Sequence, residues 1–172
     1  MIRLRPLRGH EAEELDAAIS DPDGAGTYSW FGYRSSRLKG RSDRDELITD
    51  SGGVLAIEAD DGELAGVMSW FVRDNGPPPH GRCWMIGAFV LPKHRGRGVG
   101  IAAHTAIVQY LFKHSPAVRI EAGTETGNAA ERRALERAGF VHEGTLRQAV
   151  FRDGDWRDMA VYGILRSEAA EQ

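Results

Sequence analysis

Residues 90–112, VLPKHRGRGVGIAAHTAIVQYLF, constrain the fold more than any other part of the chain. An apolar stretch suited to a strand runs into Arg95-Gly96-Arg97-Gly98-Val99-Gly100. Beyond it, Ala103, Ala106, Ile107, Tyr110 and Leu111 recur at spacings of three and four, as one face of a helix does. Lys113 and His114 suit the end of that helix, and Pro116 prevents its continuation. Glycines weaken both a strand and a helix, so their concentration at the junction implies a need for bare backbone. The first amides of a helix have no partner within it and sit at the positive end of its dipole, which makes a ready anion site. Arg95 and Arg97 add charge-assisted donors suited to phosphate oxygens. The stretch therefore predicts a cradle for a phosphate or diphosphate.

The spacing excludes two familiar cradles. The glycines follow G-x-G-x-G, with Ile101 where a dinucleotide fingerprint would have its third glycine, and no Gly-Lys-Ser/Thr of a nucleotide-triphosphate loop appears. Residues 2–7 alternate in polarity like an edge strand. Leu15, Ala18 and Ile19 mark a helix, and DDGE at residues 60–63 joins two apolar runs into a hairpin. Residues 21–39 mix glycines with Tyr28, Trp30, Phe31 and Tyr33 and predict a loop or broken helix. After the proline-rich residues 75–81 comes another strand, then the glycine turn and its helix. A further strand, RIEAG, precedes a helix that Asn128 can cap and Gly139 can end, and the chain closes as two strands around Asp153-Gly154. The order β-α-βββ-α-β-α-ββ predicts an α/β fold with a mixed sheet.

Lys and Arg number 22 against 25 Asp and Glu, for a net charge of −3, so a nucleic-acid partner is not expected. Cys83 is the sole cysteine, which forbids an internal disulfide and fits a reducing, cytoplasmic location. No stretch reaches membrane-span length, and no membrane partner is expected. Six histidines show no metal-ligand pairing, so no metal is expected, and His104 brings no carboxylate partner in sequence.

Arg95-Gly96-Arg97-Gly98-Val99-Gly100 resembles the R/Q-x-x-G-x-G/A signature of the GNAT N-acetyltransferases. WMIGAFVLPKHRGRGVG, RIEAGTETGNAAERRALERAGFVHEGTLR and DGDWRDMAVYGIL are similar, in order, to patterns of the branch that contains the ribosomal-protein N-terminal alanine acetyltransferases. The resemblance covers roughly half the chain, from Arg82 to Leu165. It implies a single GNAT-like domain over residues 1–172, with a mixed, mostly antiparallel sheet flanked by helices. It implies acetyl-CoA as co-substrate, its diphosphate on Arg95, Gly96, Arg97, Gly98, Val99 and Gly100. Backbone amides of Phe89, Val90 and Leu91 would face the pantetheine and the acetyl carbonyl, with Asn128 against the pantetheine. Such amides would stabilise an oxyanion.

Two positions depart from the family pattern. Met85 stands where relatives carry a glutamate base, and Glu131 stands where they carry a serine near the leaving thiolate. Asn128 with Glu131 also has the form of a capping box. Glu131, Glu121, Glu125 and His142 remain as proton-handling candidates, beside a mechanism with no dedicated base in which positioning supplies the acceleration. Tyr28, Trp30, Phe31, Tyr33, Trp70 and Trp156 are expected as walls of an amine pocket, with Asp153, Asp155 and Asp158 as attractors for a cationic acceptor. The expected partner is an amine-bearing small molecule or protein N-terminus, with a homodimer through the C-terminal strands as a further expectation. A non-catalytic acyl-CoA-binding module on the same fold is the alternative.

Overall fold

The computed structural model of the chain describes residues 2–33, 37–78 and 80–169. In order, these form β1 (Arg3–Arg5), α1 (Gly9–Ser20), α2 (Pro22–Ala25), α3 (Leu38–Asp43), β2 (Ile48–Thr49), β3 (Gly52–Glu58), β4 (Leu64–Asp74), β5 (Arg82–Val90), a 3-10 turn (Pro92–His94), α4 (Val99–His114), β6 (Arg119–Glu125), α5 (Ala129–Arg137), β7 (Val141–Arg152), β8 (Asp155–Leu165) and α6 (Arg166–Ala169). One sheet runs β1-β3-β4-β5-β6-β8-β7, with β2 on β3. Every described pairing is antiparallel except β5 with β6.

Strand alternation separates two cores. On β3, Leu55 and Ile57 face a cluster built with Ala103, Ile107 and Leu111 of α4. Val54 and Ala56 face the other way, onto Ala12 and Leu15 of α1 and Leu38 of α3. The sheet is thus covered on both faces, which is why β3 is buried along its whole length. Arg5 fastens one corner: its guanidinium pairs with Glu11 of α1 at 2.6 Å and with Glu58 of β3.

The mixed sheet agrees with the sequence expectation, and so do both hairpins. At the β7–β8 turn Asp153 and Gly154 have φ of 53° and 76°, the left-handed pair that a tight two-residue hairpin needs. Of residues 21–39, Pro22–Ala25 are helical and residues 26–33 are not, and a second short helix, Leu38–Asp43, begins at the end of the stretch; residues 34–36 lie outside the described set. Trp70 is a correction. It is only 5% exposed and packs edge-on to Tyr110 in the core, so it walls no pocket.

Candidate active site

The site begins where β5 and β6 part. β5 pairs with β4 from Arg82 to Val90, but with β6 only at Trp84, Met85 and Ile86. Beyond Ile86 the β6 side of β5 is open. Backbone polar groups alternate sides along a strand. Leu91 donates its amide to Ala65 on the β4 side (2.8 Å), and the Phe89 carbonyl faces Gly66 on β4. The backbone groups of Ala88 and Val90 therefore point into the opening. Val90 is the one expected position whose amide faces the gap. Phe89 lines the cavity there but directs its backbone elsewhere, and Leu91 is buried in the smaller core, outside the lining.

The opening widens into a cavity of about 800 Å³. One end is the glycine turn. Gly96 and Gly98 have φ of 72° and 78°, a conformation that L side chains rarely adopt, and nothing lies within 4 Å of where a Cβ would stand. Glycine is thus required by the backbone, and its missing side chain leaves open space. Gly98 caps α4; Ala102 donates to its carbonyl at 3.2 Å, so the amides of Val99 and Gly100 have no helical partner.

The two arginines of the turn do not act as expected. Arg97 is exposed and outside the cavity lining. Arg95 lines the cavity, but its guanidinium donates to three carbonyls: Val90 at 2.9 Å, Gly24 at 2.5 Å and Ala25 at 3.2 Å. It ties the end of α2 to the end of β5, and burial lowers its pKa. Two further cations line the cavity, Arg133 and Arg137 of α5, four residues apart on one helix face. The sequence carries them as ordinary surface arginines; only the packing of α5 beside α4, with Ala134 against Gly100, shows their place.

Asn128 starts α5 by accepting from the Glu131 amide (3.3 Å) and donates to Thr124 Oγ1 (3.0 Å). The reciprocal half of a capping box is not made. The Asn128 amide donates to the Glu125 carbonyl (2.9 Å), and the Glu131 carboxylate instead meets His104 Nε2 at 2.8 Å. His104 is 1% exposed and its Nδ1 has no partner. The carboxylate partner that the sequence spacing does not offer to His104 thus comes from another helix. Asn128 and Glu131 both line the cavity.

Glu121 is not brought to the site. It is 4% exposed on the far stretch of β6, where it accepts from Arg119 (2.8 Å) and Asn75 (2.9 Å) and lies 3.3 Å from Arg73. Burial pushes its carboxyl up, but Arg119, Asn75 and Arg73 outweigh burial and hold it below the usual range. It is a structural ion pair. His142 of β7 lies against Tyr162 of β8, outside the cavity, and the Cys83 thiol is buried and pushed up to about 11, chiefly by burial.

At the other end of the cavity are Tyr28, Phe31, Val150, Met159 and Glu125. Tyr28 donates its hydroxyl to the Gly127 carbonyl (2.7 Å), so the loop after α2 is seated against the start of α5. Of the expected aromatic walls only Tyr28 and Phe31 line the cavity. Trp30 pairs with Tyr33, which is 87% exposed, and Trp156 pairs with Phe151 on the hairpin. Asp153, Asp155 and Asp158 lie outside the lining; Asp158 accepts the Gln148 amide at a bulge in β7. Among the described residues no group of three or more His, Cys, Asp or Glu could hold a metal, and no helix is long and apolar enough to cross a membrane.

A two-faced α/β sheet split beside a glycine-started helix agrees with the fold that the sequence resemblance implies. The Acetyltransferase (GNAT) domain matches residues 2–141, and the chain belongs to that family, as an N-acetyltransferase. It is 36% identical to the probable N-acetyltransferase YjcK of Bacillus subtilis, over 97% of this chain and 95% of that protein. It is 26% identical to the putative ribosomal N-acetyltransferase YdaF of the same organism, over 97% and 92%. Among solved structures it is similar to Mycobacterium smegmatis RimJ in complex with CoA-disulfide, with a TM-score of 0.76, 25% identity and coverage of 99% and 86%. The fold is also that of a spermidine N-acetyltransferase from Vibrio cholerae in complex with CoA and spermine, with a TM-score of 0.82, 18% identity and coverage of 98% of each chain. These likenesses agree with the RimJ-like branch that the sequence patterns resemble.

Proposed function

We propose that the chain, acting as one domain over residues 1–172, moves an acetyl group from acetyl-CoA to a primary amine by direct attack in a ternary complex. The observation that carries this reading is the opening of β5 from β6 beside the glycine turn. It puts unpaired strand amides and unpaired helix amides on the two ends of one cavity wall. The diphosphate would lie on the amides of residues 96–100, with Arg133 and Arg137 on the lining, and the pantetheine would run along Phe89 and Val90 past Asn128. The amine nitrogen attacks the thioester carbon, negative charge develops on the carbonyl oxygen, and the Val90 amide donates to that oxygen. The C–S bond then breaks, and the thiolate leaves with the proton that the amine gives up.

Neither lining carboxylate stands free to act as a strong base. Glu125 is bound by Arg152, and Glu131 is hydrogen-bonded to His104. This supports transfer by positioning, with an amine that is partly neutral near pH 7–8 and a proton path through water. The reaction fits the reducing, cytoplasmic setting expected from the lone cysteine. The test is release of free CoA thiol from acetyl-CoA in the presence of a panel of primary amines. Amine-dependent release with mass-confirmed acetylation is expected. Tight acetyl-CoA binding with no release for any amine would replace the enzyme by a non-catalytic acyl-CoA-binding module.

A further inference from the structure

The acceptor end of the cavity has an unusual charge inventory for a protein that acts on amines. A cationic acceptor with more than one ammonium group is held most strongly by a carboxylate that can take the second charge. Two carboxylates line the cavity, Glu125 and Glu131. Glu131 lies on α5 beside the glycine turn and is joined to His104. That leaves Glu125, at the end of β6 beside Tyr28 and Met159, as the only acid among the described lining residues at the acceptor end.

Glu125 is closed by Arg152. The Arg152 Nε donates to one carboxylate oxygen at 2.5 Å and Nη2 to the other at 2.8 Å, a bidentate pair whose side chains are only 6% and 7% exposed. The guanidinium is seated on two further groups, one of them anchored in turn. Its carbon lies 5.6 Å from the centre of the Tyr28 ring, Nη1 lies 3.5 Å from Asp153, and Tyr28 is itself pinned to Gly127. Arg157, paired with Asp155 at 3.4 Å, adds a second positive charge in the field of Glu125. A planar fork buried against a carboxylate in this geometry is a fixed feature rather than a fluctuating surface pair. The apolar surface at this end is Phe31, Val150, Met159 and the Tyr28 ring, and the other charged side chains among the described lining residues, Arg95, Arg133 and Arg137, are basic.

We infer that Arg152 is a specificity-determining residue: by closing both oxygens of Glu125 it leaves the acceptor end without a free carboxylate, so the acceptor is a primary amine flanked by apolar or anionic groups and not a polyamine. The inference rests on the acetyltransferase reading of the same cavity. It differs from expecting the hairpin aspartates to attract a cation, because those aspartates lie outside the lining. It also separates this chain from the spermidine acetyltransferase that shares its fold. Arg152 does not line the cavity, so it acts through Glu125 and touches no substrate.

The experiment measures kcat/KM by CoA-thiol release for spermidine and for peptides that begin with alanine and continue with two leucines, two aspartates or two lysines. A hydrogen bond to a charged group changes affinity by about tenfold to a hundredfold. The unaltered protein is expected to prefer the leucine and aspartate peptides over the lysine peptide and spermidine by about tenfold or more. In Arg152→Gln the carboxylate is released, and the lysine-to-leucine ratio should rise by about tenfold. In Glu125→Gln the arginine is released instead, and the aspartate-to-leucine ratio should rise. Ratios within one variant cancel any loss of folded fraction, and if Arg152→Gln fails to fold, the Glu125→Gln ratio decides. Spermidine or the lysine peptide as best substrate of the unaltered protein would overturn the inference while leaving the acetyltransferase reading intact, as would ratios unchanged in every folded variant. Acetyl-CoA binding with turnover of none of these amines would overturn that reading and this inference with it.

Discussion

Replacing Gly98 by alanine and by glutamate separates the two demands made on that residue. Gly98 has a φ of 78°, so any L side chain there is strained, by about 1–2 kcal/mol. Both variants bear that cost, and each should lose roughly 2–8 °C of melting temperature on a chain of this size. The Cβ itself meets nothing within 4 Å. Alanine therefore adds strain without a clash, and CoA affinity should fall by less than about fivefold, or about 1 kcal/mol. Glutamate adds a charge in the cradle. A carboxylate about 5 Å from a phosphate oxygen at an effective dielectric of about 20 is repelled by about 3 kcal/mol per unit charge. Because Gly98 is exposed, salt and water reduce this to about 1–2 kcal/mol, or roughly 5–30-fold in Kd beyond the alanine variant. The assay is calorimetric titration of each folded variant with CoA, beside its thermal melt. A glutamate variant binding CoA within about threefold of the alanine variant would refute the diphosphate cradle.

Two further outcomes follow from the ion pairs. Glu131→Ala strips His104 Nε2 of the carboxylate it meets at 2.8 Å in a site that is 1% exposed, and should cost about 1–3 kcal/mol in urea unfolding. Glu131→Gln keeps an oxygen in place and should cost less than about half of that; an alanine variant as stable as the parent would show the pair to be idle. Arg5 holds Glu11, and Arg152 holds Glu125, below the usual carboxylate range. A depressed folded-state value contributes stability that is present above the unfolded value near about 4.3 and is lost as the pH falls below it. The unfolding midpoint should therefore decline steadily below about pH 4–5, and a midpoint flat down to pH 3 would contradict these pairings.

Much of the fold was legible because it rests on local signals. The glycines at 96 and 98 announce left-handed backbone, the Asp153-Gly154 pair announces a tight hairpin, and the spacing of Ala103, Ile107 and Leu111 announces the face of α4 turned to the sheet. The cradle was legible for the same reason. Its side chains were not, because a contact between distant elements leaves no mark on spacing. Arg95 reads as a phosphate ligand beside its glycines but reaches the carbonyls of Gly24 and Ala25, some seventy residues earlier. Arg133 and Arg137 read as surface charge, and Glu131 reads as a cap until α4 supplies His104. Alternation also decides which strand amides are open. A resemblance can mark residues 89–91 together, but only the pairing of β5 with β4 singles out Val90.

The account stands most directly on where acetyl-CoA sits, and a crystal structure of the complex measures that. It should show the diphosphate oxygens about 3 Å from the backbone nitrogens of residues 96–100, and the thioester oxygen a similar distance from the Val90 nitrogen. A diphosphate held elsewhere, or a thioester outside the opening between β5 and β6, would contradict the account.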